Sequence, residues 1–276
     1  MSMRVWSYTL SLVALSACSF SSSAATTDAK VVDGRVNDAA VDARLPDAMI
    51  DGNMPARVTA GLQAIWPFDE ASGDLARDRA GLVPAYDLKL LSTANATWSS
   101  EGLTFVKATY AKSAVMLGRP VTACALAGVG ALEAWITPAN DTQGTPQRPV
   151  IIAGLIGNIS SRGFEISQDR KAIVAHARTA SVPTAPALYA DNVAVPGQRI
   201  HVMLVQEAMT QKLYINGALK AQQNTSAMAW ESYAMYVGAD IGLNAPWLGT
   251  ARLVSLYCSA LTAAQVKANF DYGPKL

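Results

Sequence analysis

The sequence predicts an all-β fold: a two-sheet antiparallel jelly-roll sandwich with a short C-terminal helix. Three observations predict it. From Val58 onward, short apolar runs alternate with clusters of Gly, Pro, Asn and Asp, and long helical periodicity is almost absent. One run, Leu213-Tyr214-Ile215-Asn216-Gly217-Ala218-Leu219, carries Asn-Gly between apolar flanks, a pair that tolerates positive φ at both central turn positions. The 276 residues are 51% hydrophobic and 16% charged, enough for one large β domain with a sizeable core.

In chain order, Arg4 precedes an apolar stretch over 5–17, too short for a permanent span of roughly 20 residues. It ends at Leu15-Ser16-Ala17-Cys18, which resembles a bacterial lipobox and implies a signal peptide over 1–17 with lipid on Cys18. The other reading is an ordinary signal peptide cut near Ala24 or Ala25, with Cys18 discarded. Ser19 after Cys18 resembles an outer-membrane sorting signal, so an envelope lipoprotein facing the periplasm or cell surface is expected. Residues 18–57 hold a serine cluster and a degenerate aspartate repeat at Asp28, Asp33, Asp38, Asp42, Asp47 and Asp51. With few large apolar groups to offset chain entropy, this stretch reads as a disordered Asp/Ala-rich linker. Residues 58–276 are the folded domain.

Within that domain the candidate strands are 61–68, 102–105, 131–136, 150–156, 163–167, 172–177, 200–206, 212–215, 233–237 and 251–258. One helix is signposted, over 263–270. Thr262 and Gln265 have capping-box spacing, Leu261 can staple onto Val266, and Val266 shares a face with Phe270. In the 131–136 run, Ala134 and Ile136 alternate with Glu133 and Trp135, so one face should enter the core and the other is more polar.

These landmarks resemble the laminin-G-like, concanavalin A-like jelly-roll family of bacterial secreted proteins. The resemblance runs from Ile65-Trp66-Pro67-Phe68-Asp69-Glu70-Ala71-Ser72-Gly73, with Arg77-Asp78, through Leu132-Glu133-Ala134-Trp135-Ile136 and His201-Val202. It closes on Trp247-Leu248-Gly249, Val254-Ser255-Leu256-Tyr257 and Ala260-Leu261-Thr262. Relatives often hold calcium near the sheet edge, and Asp69 and Asp78 stand where the family shows aspartate. However, Arg252 stands where the closing strand of many relatives carries an acid, so structural calcium is disfavoured. Both aspartates read better as turn-formers, and no cofactor or metal is expected.

Composition narrows function further. Lysine plus arginine is 22 and aspartate plus glutamate 21, a balance that argues against nucleic acid and leaves the lipid anchor as the only membrane contact. With Cys18 lipidated, Cys124 and Cys258 remain; an exported chain favours a disulfide between them over two buried thiols. His176 and His201 fall on different strands and read as packed or surface residues. Jelly-roll glucanases carry E-x-D-x-x-E on one strand, and none of the six glutamates has that spacing. A pair split between strands would escape the pattern, so a divergent glycosidase stays as a lesser alternative. The chain reads as a non-catalytic recognition module for carbohydrate or a surface protein ligand, with a structural or adhesion module as the other alternative. Sugar recognition needs aromatic platforms and planar polar groups; the candidates are Trp135, Arg178, Tyr189, Tyr214, Asn216, Tyr236, Asn244 and Trp247.

Overall fold

A computed structural model describes residues 56–158, 161–177 and 187–276. The Cys18 and Arg178 expectations lie outside the described residues. Sixteen strands and two α-helices are described. In chain order the strands are β1 (Leu62–Trp66), β2 (Leu75–Ala76), β3 (Leu88–Leu90), β4 (Ala96–Ser99), β5 (Gly102–Phe105) and β6 (Ala111–Ser113). After helix α1 (Gly118–Ala127) come β7 (Gly130–Pro138), β8 (Val150–Asn158), β9 (Ser161–Asp169), β10 (Ala172–Ala177) and β11 (Leu188–Ala190). The chain finishes with β12 (Ile200–Gln206), β13 (Thr210–Ile215), β14 (Ala218–Asn224), β15 (Ala234–Val237), β16 (Gly249–Tyr257) and α2 (Ala263–Tyr272).

The strands form two antiparallel sheets. The first runs β14-β13-β12-β7-β16-β5-β4, and the second β11-β10-β9-β8-β15-β6-β3-β2. In the first, β1 pairs with the C-terminal half of β16 and β5 with its N-terminal end, so the two share one edge of that strand. Gly102 permits the β5 contact: its φ is +121°, and a Cβ there would lie 2.2 Å from the Ala251 carbonyl oxygen. The Asn-Gly hairpin forms as read, with φ of 51° at Asn216 and 76° at Gly217 joining β13 to β14.

The main core lies between the sheets. Leu132, Ala134 and Ile136 of β7 meet Phe164 and Ile166 of β9, with Trp66, Phe68, Phe105 and Trp247 filling the space. The other face of the first sheet is buried as well. Trp135 and Ile65 pack with Leu253 and Phe270, while Met203, Val205, Tyr214 and Tyr257 pack with Leu261 and Val266. Helix α2 therefore covers this face, which accounts for the near-continuous apolar run of β12. The capping box holds α2 in place: the Gln265 N–H donates to Thr262 Oγ1 at 3.3 Å, and the Thr262 N–H donates to Gln265 Oε1 at 2.9 Å.

Helix α1 is a correction to the single helix expected. Its start has no capping side chain and no acidic residue in the first turn; only Gly128, left-handed at the C-cap, marks its boundary. Cys124 of α1 is disulfide-bonded to Cys258 just past β16, with Cα atoms 4.5 Å apart. The folded part also takes in Arg57, one residue before the expected boundary, as its contacts below show.

Candidate functional site

The register of β7 against its neighbours aligns a polar cluster under α2. Glu133 faces Met203 of β12 and Ser255 of β16, and the next row pairs Trp135 with His201 and Leu253. Glu133 is fully buried. Its carboxylate accepts from Arg57 Nη1 at 2.9 and 2.8 Å, Ser255 Oγ at 2.7 Å and Tyr257 OH at 3.0 Å. It also accepts from Trp135 Nε1, His201 Nε2 and Asn269 Nδ2, each at 3.2 Å. Burial alone would push this carboxyl up, but the His201 hydrogen bond and the Arg57 charge together hold it well below the usual carboxylate range. Burial, then the neighbouring Glu133 charge, pushes the Tyr257 hydroxyl up to about 12. Arg57 also donates from Nη2 to the Gly273 carbonyl at 2.5 Å and from Nε to the Lys275 carbonyl at 3.2 Å. Its guanidinium lies 5.6 Å from the Tyr272 ring centroid. Arg57 thus pins the C-terminal strap, residues 273–276, beside α2.

The strap walls a groove of about 460 Å³, lined chiefly by Trp135, Arg199, Asn216, Phe270, Tyr272 and Lys275. That volume is in the range of small-ligand sites. At its floor Trp135 stacks on Phe270, with centroids 5.8 Å apart and planes within 5°. The exposed Arg199 guanidinium lies 5.8 Å from the Trp135 ring centroid. Asn216, exposed in the β13–β14 turn, uses Oδ1 to accept from the His201 N–H at 2.9 Å. Aromatic rings beside planar polar groups are the elements that sugar recognition requires.

A second constellation lies on the outer face of the other sheet. Register lines up His176, Glu165, Gly154, Tyr236, Lys112 and Lys89 across six neighbouring strands. Glu165 is buried and accepts from Ser167 Oγ and from Arg162 Nη1, the latter at 3.2 Å to Oε2; His176 Nε2 is 3.8 Å from the same oxygen. Arg162 Nη2 reaches the buried Asp240 Oδ2 at 3.3 Å. One guanidinium therefore bridges two carboxylates drawn from different elements, an arrangement the single-strand motif search cannot detect.

The sequence-derived candidates divide. Trp135 and Asn216 meet in the groove. Tyr189 is exposed on β11. Asn244 sits in the loop beside Asp240, its backbone N–H donating to Oδ1 at 2.9 Å. The remaining three are buried. Trp247 lies in the main core, donating from Nε1 to Gln168 Oε1 at 2.8 Å. Tyr214 packs in the cluster under α2, and Tyr236 lies against Tyr110 at 5.1 Å and beneath Lys112. Alternation places all three on strands or in the core, but which faces are covered depends on α2 and on the long loops. Of the expected turn-formers, Asp78 accepts from the N–H groups of Ile65, Ala80 and Tyr86, and Asp69 pairs with Arg79 at 3.5 Å. Arg252 instead pairs with Glu101 and donates to Thr137 Oγ1 at 3.1 Å. Among the described residues no cluster of three or more His, Cys, Asp or Glu is arranged to hold a metal ion. Arg199 and Tyr272 escaped the sequence reading: neither lies in a motif, Tyr272 reaching the groove from the end of α2 and Arg199 from just before β12.

Two stacked antiparallel sheets with a helix-walled groove define a jelly-roll sandwich of the lectin type. The chain belongs to the concanavalin A-like lectin/glucanases superfamily, its laminin G family model matching residues 120–267. Binding modules and hydrolases share that scaffold. No curated protein matches the chain. Among solved structures, a Trypanosoma rangeli sialidase in complex with sialic acid is similar at 19% identity and a TM-score of 0.57, over 76% of this chain and 32% of that one. The binding domain of botulinum neurotoxin serotype D is similar at 13% identity and a TM-score of 0.57, over 76% of this chain and 51% of that one. The chain spans about a third to a half of the length of these proteins, and the likeness is one of fold.

Proposed function

We propose that residues 58–276 are a non-catalytic recognition module that binds carbohydrate, or another extracellular surface ligand, in the groove beside α2. The observation that carries this reading is the meeting of Trp135, Phe270 and Tyr272 with Arg199 and Asn216 around one open groove. The superfamily, and the binding-domain title of the botulinum neighbour, support it. The Cys124–Cys258 disulfide fits an exported chain. On this reading, the residues from 18 up to Arg57 are a spacer from a lipid on Cys18 in the cell envelope. Radiolabelled palmitate incorporated by the chain and lost in Cys18→Ser tests the anchor. A glycan array and polysaccharide pull-down test the binding. Retention on at least one glycan, weakened by Trp135→Ala, is expected; a stoichiometric protein partner captured by crosslinking, with no glycan retained, would support the structural or adhesion reading instead.

A divergent glycosidase is the second reading, resting on the Glu165–Asp240 pair. A general acid must hold a proton to donate, whereas both carboxylates here accept from Arg162, and Glu165 from Ser167 as well. Their contacts are spent on one another, so the pair reads as a structural staple of the sheet face. Release of reducing sugar from any polysaccharide, abolished by Glu165→Gln, would reverse that assignment.

A further inference from the structure

The hydrogen-bonding groups that line the α2 groove are not balanced. Asp271 is its one acidic side chain, and both carboxylate oxygens are held by Lys267 Nζ at 2.6 Å. The carbonyls of Gly273 and Lys275 already accept from Arg57. Asn216 Oδ1 is taken by the His201 N–H. Among the described residues, the charges of the lining left without an ion pair are cationic. Arg199 forms no ion pair or hydrogen bond among the described residues; its one recorded contact is with the Trp135 ring. Lys275 likewise has no ion pair among the described residues, and the Asn216 amide nitrogen has no partner there. Two of these three donors are cationic, and they share the groove with half-buried aromatic side chains at Phe270 and Tyr272.

The hydroxyls of a neutral sugar carry no charge, so such a ligand would leave both cations of the groove without a counter-ion. A carboxylate accepts only, and a guanidinium offers it a planar fork of parallel N–H groups. Building on the recognition reading above, we propose that the groove takes a saccharide bearing ring carboxylates, a polyuronate. The carboxylate lies on Arg199 and Lys275, a ring hydroxyl oxygen accepts from the Asn216 amide, and the apolar sugar face lies toward Phe270 and Tyr272. Arg199 is the specificity-determining residue of this arrangement. Because it is exposed and hydrogen-bonds to nothing described, its replacement leaves the folded core unchanged.

The experiment is calorimetric titration of the full-length chain with polygalacturonate, with the same polymer after reduction of its carboxyl groups, and with poly-glutamate. The proposal expects polygalacturonate to bind at least about tenfold more tightly than its reduced form. Arg199→Ala should lose about tenfold or more at an unchanged thermal midpoint, and Arg199→Lys should recover only part of it. Affinity should fall as salt rises, because the decisive charges are exposed. Equal binding of the reduced polymer, unaffected by Arg199→Ala, overturns the carboxylate assignment while leaving carbohydrate recognition in place. Poly-glutamate binding as tightly as polygalacturonate overturns the saccharide and points to an acidic peptide. Failure of every polymer, reduced or acidic, to bind overturns the inference, while retention of any other glycan on the array keeps the function it builds on.

Discussion

Replacing Glu133 by glutamine puts the buried cluster beneath α2 to a quantitative test. The carboxylate accepts from six side chains with no water-facing atom to share the load. An amide keeps one acceptor and turns the other into a donor. If the amide nitrogen takes the Oε2 position, it confronts Arg57, Ser255, Tyr257 and Asn269. The two hydroxyls can rotate and accept, so the loss does not grow with the number of partners. Arg57 cannot adapt: its side chain is only 6% exposed, and its charge is left without a counter-ion. Removing one partner of a buried ion pair costs about 3–5 kcal/mol. Taking 4 kcal/mol as roughly the midpoint, and an m-value of about 3 kcal/mol per molar urea, the unfolding midpoint should drop by roughly 1.3 M. The pH dependence supplies a second reading from the same protein. The folded Glu133 carboxyl lies below its ordinary value of 4.5, so its contribution is complete above that pH and is lost as pH falls toward the folded value. The gap between wild type and Glu133→Gln should therefore be constant near neutrality and narrow in acid. A gap under about 1 kcal/mol, or one that widens on acidification, would refute the account of the cluster.

Three further outcomes follow from the same structure. Tyr257 ionises near 10 when unfolded and is held protonated to about 12 when folded, so its contribution is present below pH 10 and lost as pH rises through 12. Urea unfolding across that window should show a steeper alkaline decline for wild type than for Tyr257→Phe, by about 3 kcal/mol at most. The Cys124–Cys258 bond closes a sequence separation of 134, for which chain entropy predicts about 5 kcal/mol; calorimetry with reductant should show a midpoint lower by roughly 10 °C or more. Gly102→Ala places a methyl against the Ala251 carbonyl at a φ that L-residues avoid, and should cost more than about 2 kcal/mol by separating β5 from β16, read as faster amide exchange in both strands.

The sandwich was legible because period-two alternation and turn residues report local geometry directly. All ten anticipated strands occur, and Asn216–Gly217 forms its turn because only the backbone, not its surroundings, decides the matter. The six short or edge strands were not legible. β2, β3, β6 and β11 have two or three residues each, too few to establish a period, and β14 is mostly exposed and polar. Helix α1 failed for the opposite reason: Pro120 in its first turn and an uncapped start look like loop, and packing of Val121 and Cys124 against the sheet overrides that.

The candidate site was only half legible, and the cause is the second layer that α2 adds. Alternation correctly set Glu133 and Trp135 opposite Ala134 and Ile136, but an amphipathic strand ordinarily turns its polar face to water. Here that face is roofed, so the glutamate becomes a buried anchor rather than a surface group, and Trp135, 4% exposed, forms a floor rather than an open platform. The roof needs Arg57 at one end of the fold and the strap after Tyr272 at the other, residues 216 positions apart that a local reading cannot bring together. Arg57 holds the carbonyls of Gly273 and Lys275, so the contact that closes the fold also sets the strap that carries Lys275 beside the groove. If the groove takes a polyuronate as proposed, stability and binding are coupled at Arg57. Arg57→Ala should both lower the urea midpoint and, by releasing the strap that carries Lys275, weaken polygalacturonate binding in calorimetry. A lowered midpoint with unchanged binding would sink the coupling.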